Sequence, residues 1–188
     1  MTATVSLAQT DLQTILRSFI LSLIDCEVID GLDNGVPPPL NPFIAITPLY
    51  FNRLATNMPT YQDPGTGAGT SGVMQSIAYT WQIDCYGPQS SDWAAIITTM
   101  FRDGYGVDFM APIAAPLYAD DPKQFAIVDG EENFEQRWLI TAVLQYNPVV
   151  TIPVQYFNVI NITPINVDTS LFNELDTALF LDSQSKLG

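Results

Sequence analysis

The residues able to do chemistry in this chain are carboxylates and little else. Among 188 residues there is no histidine, and 20 aspartates and glutamates face six lysines and arginines. Without imidazole, neither a Ser-His-Asp nor a Cys-His arrangement can be built, and histidine metal sites are excluded. Candidates for a divalent cation are the adjacent Asp120-Asp121 in PLYADDP, and Asp103 with Asp108 around GYG. Hard cations need several oxygen ligands, yet no EF-hand spacing is present. Two aspartates before a proline read more simply as a solvated turn. A carboxylate pair for glycoside hydrolysis is a spatial constellation that spacing does not reveal, and no aromatic-rich polar cleft accompanies one. The sequence therefore assigns no catalytic, cofactor-binding or metal-binding residue, and the chain reads as not an enzyme.

Two further features are weaker still. Cys26 and Cys85 lie far apart and form no CxxC. They read as small buried apolar thiols, with a disulfide as the lesser alternative. The stretch QDPGTGAGTSG (62–72) is rich in glycine but lacks GxxxxGK[ST] and a lysine-bearing helix after it. It reads as a flexible loop, not a phosphate cradle.

Composition sets the frame for these residues. The chain is 47% hydrophobic, enough to build a core, while only 14% of it is charged and the net charge is −14. Arg17, Arg53, Arg102, Lys123, Arg137 and Lys186 are scattered, so the clustered cations of a nucleic-acid-binding face are missing. The start, MTATVSLAQTDLQ, has no basic region and reads as leading into an amphipathic helix, not a signal peptide. No apolar run reaches the length of a membrane span. A soluble protein made in the cytoplasm is expected.

Periodicity supplies the elements. Thr10 or Asp11 can cap a first helix whose stripe is Leu12, Ile15, Leu16, Phe19, Ile20 and Leu23, ending near Asp25. Cys26–Ile29 and Phe43–Thr47 read as short strands, separated by the extended VPPPLNP. Residues 49–60 are mixed. Met74–Cys85 alternates, with Ile77, Tyr79, Trp81, Ile83 and Cys85 on one face. So does Phe134–Tyr146, with Leu139 and Val143 as apolar exceptions on its polar face. Gln124–Val128 completes a hairpin with it, Asp129-Gly130 being the turn signal. Between the long strands lies a second helix capped by Ser90 or Ser91. Its stripe is Trp93, Ile96, Ile97, Met100 and Phe101, with Arg102 in the last turn and Gly104 ending it. The expected class is α+β, a mostly antiparallel sheet flanked by helices. The expected core is 1–147, and 148–188 is an extended C-terminal arm punctuated by Pro148, Pro153 and Pro164. SLFNELDTALF would form a short helix near its end. An apolar arm of that length either folds back or is held by a neighbouring subunit, and the second is favoured. Proline-fixed loops, long strands and many amides suit a protein that buries surface in assembly.

Four segments taken in order carry a resemblance: NGVPPPLNPFIAITPL, DCYGPQSSDWAAIITTMFRDGYGVDF, PLYADDPKQ and EQRWLITAVLQYNPVV. Together, over roughly residues 10 to 168, the chain resembles the neck or tail-terminator proteins of contractile-tailed bacteriophages. The resemblance implies a structural virion protein, an α+β subunit of a ring that is usually a hexamer. Such a ring caps the tail tube and sheath, docks to the head connector, and lets DNA pass through its lumen without specific binding. Its implied partners are further copies of itself, tube and sheath proteins and connector or other neck proteins, with no membrane and no cofactor. Its implied location is the virion neck, after assembly in the host cytoplasm. Rivals are another neck ring, such as a head-completion or adaptor subunit, a tail-tube subunit, and a particle-borne hydrolase. The 62–72 loop would sit at one rim of the ring.

Overall fold

The two alternating segments become adjacent strands at the centre of a sheet. The computed structural model describes residues 2–32, 37, 39–40, 42–63, 65, 69–128 and 134–154. Ten strands and three helices are found among them: β1 (Thr4–Val5), α1 (Gln9–Leu23), β2 (Glu27–Asp30), β3 (Phe43–Arg53), β4 (Met58–Gln62), β5 (Gly69–Met74), β6 (Ile77–Tyr86), α2 (Ser90–Phe101), α3 (Gly104–Met110), β7 (Ala115–Ala119), β8 (Lys123–Val128), β9 (Phe134–Tyr146) and β10 (Val149–Val154). The class is the α+β expected, with mostly antiparallel pairing, although the strands form two sheets.

The larger sheet has the order β2-β3-β6-β9-β7, with β8 also paired to β9. Only β2 and β3 are parallel. One face is the predicted apolar one: Ile44, Ile46, Trp81, Ile83, Cys85, Ile140, Ala142 and Leu144 are buried against Leu12, Leu16, Phe19 and Ile20 of α1 and against Trp93, Ile97 and Phe101 of α2. Phe19 lies at the centre of the helix layer, with edge-on ring contacts to Phe101 and Phe109. Each of these large side chains contributes roughly 1.5–3 kcal/mol by leaving water, which fixes which sheet face the helices take.

The smaller sheet, β1-β10-β5-β4, is a continuation of three strands of the larger one. Chain breaks at 54–57, 75–76 and 147–148 separate β3 from β4, β5 from β6 and β9 from β10. Hydrogen bonds from Leu54 N–H to Ser76 C=O and from Gln75 N–H to Pro148 C=O hold the bend together. Pro148 cannot donate to a ladder, which suits a position where the strand must break.

Several expectations change. The long strand begins at Ile77, and Met74 belongs to β5. The second half of the expected 62–72 loop, from Gly69, is strand: small residues there pair with β4 on one side and β10 on the other. A Cβ on Gly72 would lie 2.9 Å from the Thr60 hydroxyl and 3.1 Å from Val149, so glycine permits the close pairing that its turn-like look conceals. The mixed segment 49–60 extends β3 and supplies β4. The first helix starts earlier than Thr10, at Gln9. Asp11 then acts at the third helical position, where its carboxylate accepts the Ala8 N–H at 2.7 Å.

In α2 the buried stripe is Trp93, Ala94, Ile97, Thr98 and Phe101, while Ile96 is turned outward. Thr98 passes as apolar because its hydroxyl donates to Ala94 C=O at 2.7 Å within the helix. Gly104 opens α3, an element the sequence reading lacked. Asp103 caps it, its side chain accepting the Tyr105 N–H at 3.0 Å. The chain can turn this tightly because Gly106 packs on α2, where a Cβ would meet Met100 C=O at 2.7 Å.

Beyond the expected boundary at 147, Val149–Val154 folds back as β10 between β1 and β5 of its own chain. The rest of the expected arm, its terminal helix and the Asp129-Gly130 turn lie outside the described residues.

Candidate interaction surface

The carboxylates weighed as cation ligands lie apart, in a strand joint and around a helix. Asp120 and Asp121 sit at the joint between β7 and β8, which follow one another along the same edge of β9. There Arg102, from the end of α2, ion-pairs with Asp121 at 3.4 Å and donates to Ala119 C=O. Lys123 lies 3.8 Å from Asp120. These pairs are exposed and stabilise little. Asp103 is occupied as a helix cap and Asp108 is exposed on α3. Among the described residues no three metal-ligating side chains are grouped. A cavity of about 620 Å³ runs beside β2, lined by Gln13, Arg17, Glu27, Asp30 and Leu40 among others.

One carboxylate was not anticipated. Asp84 occupies an even, nominally polar position of β6, yet is only 3% exposed. Arg137 of β9 contacts it through Nη2 at 2.8 Å and Nε at 2.9 Å, and Gln82 Nε2 donates to its other oxygen at 2.7 Å. The Arg137 guanidinium also lies over the Tyr86 ring, which stacks on Phe43. This network pins β3, β6 and β9 together on the sheet face opposite α1 and α2. The sequence signal was only an Asp and an Arg on polar faces of two strands, 53 residues apart.

Cys26 and Cys85 are both free thiols; Cys85 is buried as expected, whereas Cys26 is only half-buried. Burial, with the Asp25 charge as a smaller contribution, pushes the Cys26 thiol up to about 11. Burial first, then Asp84 and Cys26, pushes Cys85 to about 12. Neither is an activated nucleophile.

What the surface does present is strand edges. β2 pairs with β3 only as far as Asp30↔Ile46, so the second half of β3 has no neighbour on that side among the described residues. On the opposite edge of the same sheet lies β7. Both edges carry the tripeptide Pro-Leu-Tyr, at 48–50 and 116–118, and in both the register slips at the leucine. These are β-bulges, and they leave the leucine and tyrosine side chains in water: Leu49 46%, Tyr50 55%, Leu117 48% and Tyr118 54% exposed. The pairings Tyr50↔Thr80, Thr80↔Val143 and Val143↔Tyr118 place the two tyrosines at the ends of one row across four strands. Val143, an apolar exception in the sequence, is the middle of that row. The four-stranded sheet adds a second apolar surface, since Val5, Tyr61, Val150 and Ile152 are all well exposed on it.

A comparison with curated proteins returned no match. A family model for phage neck terminator proteins matches residues 10–169, most of the chain, and the protein accordingly belongs to the phage neck terminator family, whose members are components of the virion neck.

Proposed function

We propose that this chain is a structural, non-catalytic subunit of a ring in the neck of a contractile-tailed phage. The ring closes the end of the tail tube and sheath and joins the finished tail to the head connector. The observation that carries this reading is the placement of the unburied apolar side chains. Many of them lie on two opposite edges of one sheet, at Leu49, Tyr50, Phe51, Leu117 and Tyr118, and on the four-stranded sheet, at Val5, Met58, Tyr61, Val150 and Ile152. Opposite, non-identical edges suit head-to-tail contacts, which close into rings. Assembly takes place in the host cytoplasm, and the partners are copies of the same chain, the tube and sheath proteins and the connector.

DNA passes through the lumen without specific binding. Exposed carboxylates lie both on the helix layer or its caps, at Asp11, Asp92, Asp103 and Asp108, and on strands or their ends, at Glu27, Asp30, Asp63 and Asp121, whereas Asp84 is buried and paired with Arg137. With a net charge of −14 on each copy, an acidic lumen would repel the DNA backbone and keep it from sticking during passage. Purified full-length protein added to growing tail tubes tests the terminator role. Growth should stop, with one ring at the tube end. Continued growth, or polymerisation of the chain by itself into tubes, would show a tube subunit instead.

A further inference from the structure

We infer that the four-stranded sheet β1-β10-β5-β4 is the part of each copy that lies on the end of the tail tube, through one uncharged apolar face. This deepens the ring reading above and rests on it.

Register gathers the apolar side chains on one face. Val5 pairs with Val150, Val150 with Val73, and Val73 with Pro59. Residues paired across strands share a face, so these four form one row. Ile152, Ser71 and Tyr61 form the next row of the same face, two residues further along each strand. Val5, Val150, Ile152 and Tyr61 are 55%, 40%, 41% and 71% exposed, so the rows stand open. Ser71 is small and buried between Ile152 and Tyr61; the face therefore dips along β5, with those two side chains as its walls. The opposite face includes Thr4, Thr60, Thr70, Thr151 and Gln62 and is the more polar of the two.

Charge, area and position decide what lies on this face. β1, β4, β5 and β10 contain no charged residue, in a chain of net charge −14. The surface it fits is likewise uncharged and apolar, because a charged partner would lose its hydration there without gaining a counter-ion. Four strands about 4.8 Å apart, three of them five or six residues long at about 3.3 Å each, make a face of roughly 300 Å². A stable pair of proteins needs about 800 Å² on each side, so this face alone does not hold a second copy of the chain. A ring presents all its copies of the face together, and weak contacts to a partner of matching symmetry then act as one. The sheet continues β3, β6 and β9 past one end of the larger sheet, whereas contacts around the ring fall to that sheet's two lateral edges. The end ring of the tail tube is a partner of that symmetry, and the chemistry it must present is a ridge of uncharged apolar side chains.

The test uses the purified full-length chain and tail tubes. Tyr61→Asp is set against Gln62→Asp, which adds the same charge on the opposite face of the same strand. Both variants should give the wild-type closed oligomer by native mass spectrometry. Capped tube ends are then counted by electron microscopy. Tyr61→Asp should leave ends bare at concentrations where wild type and Gln62→Asp cap them all. Ile152→Asp, on the other wall of the dip, should repeat the loss, and wild-type hydrogen exchange of Gly69–Met74 shows in each variant that the sheet is intact. Capping retained by both Tyr61→Asp and Ile152→Asp, or lost equally in Gln62→Asp, would overturn the tube contact while leaving the ring reading intact. So would loss of the closed oligomer in Tyr61→Asp with Gly69–Met74 still protected, because the face would then join copy to copy. Wild-type protein that stays monomeric would overturn both.

Discussion

At the residue scale the fold depends on one charged group where an apolar or solvated one was expected. Asp84 is buried with two partners, and removing the carboxylate leaves Arg137 without its counter-ion in a mostly desolvated place. Asp84→Ala should cost about 3 kcal/mol of unfolding free energy, read from urea denaturation. A loss under about 1 kcal/mol would mean that water already screens the pair. The sequence could not reveal this, because alternation says which face a residue takes, not whether long neighbours such as Arg137 and Tyr86 close over it. The thiols give a second prediction. Cys85 ionises only near pH 12 in the folded chain against about 9 for an ordinary thiol, so the folded state holds its proton more tightly. Stability from this group is full below pH 9 and falls as pH rises from 9 towards 12. Alkylation of Cys85 at pH 8 should therefore follow global unfolding, and rapid labelling of native protein would contradict its burial.

At the element scale the legible parts were those that strong periodicity marks. The helix stripe from Leu12 to Ile20, the alternation around Trp81 and the face from Trp138 to Tyr146 all became core. The parts that escaped were short or proline-marked strands, whose partners lie far away in sequence. β5 is mostly glycine, serine and threonine and exists because β4 and β10 pair with both its edges. α3 escaped because Gly104 resembled a helix end, while Asp103 before it was weighed as a ligand and not as a cap. Asp103→Ala should cost about 1 kcal/mol, with faster amide exchange confined to α3 if the cap acts as described. Folding back of β10 also yields a prediction for truncation. A chain ending at Asn147 should keep the six-stranded sheet and lose the smaller one. Amides of Gly69–Met74 should then exchange freely while those of Ile77–Tyr86 remain protected. Equal protection of both segments would show that β10 is dispensable for the smaller sheet.

At the scale of the whole molecule, much of the exposed apolar material of the described surface lies on strand edges and on the four-stranded sheet. The lack of histidine excluded imidazole catalysis at the outset, and the carboxylates weighed as cation ligands are a helix cap at Asp103, an exposed side chain at Asp108 and ion pairs at Asp120 and Asp121. The interaction surface was only half legible. PLY at 48–50 and PLY at 116–118 stand in the sequence, but nothing there says that folding sets them on opposite edges of one sheet at one height. That placement is a property of the register of β3, β6, β9 and β7. The central claim, a subunit that closes a ring by head-to-tail contacts, is tested most directly by native mass spectrometry of the purified full-length chain. The account predicts a single closed oligomer whose copy number does not change with protein concentration. A monomer at every concentration, or an open series growing with concentration, would contradict it.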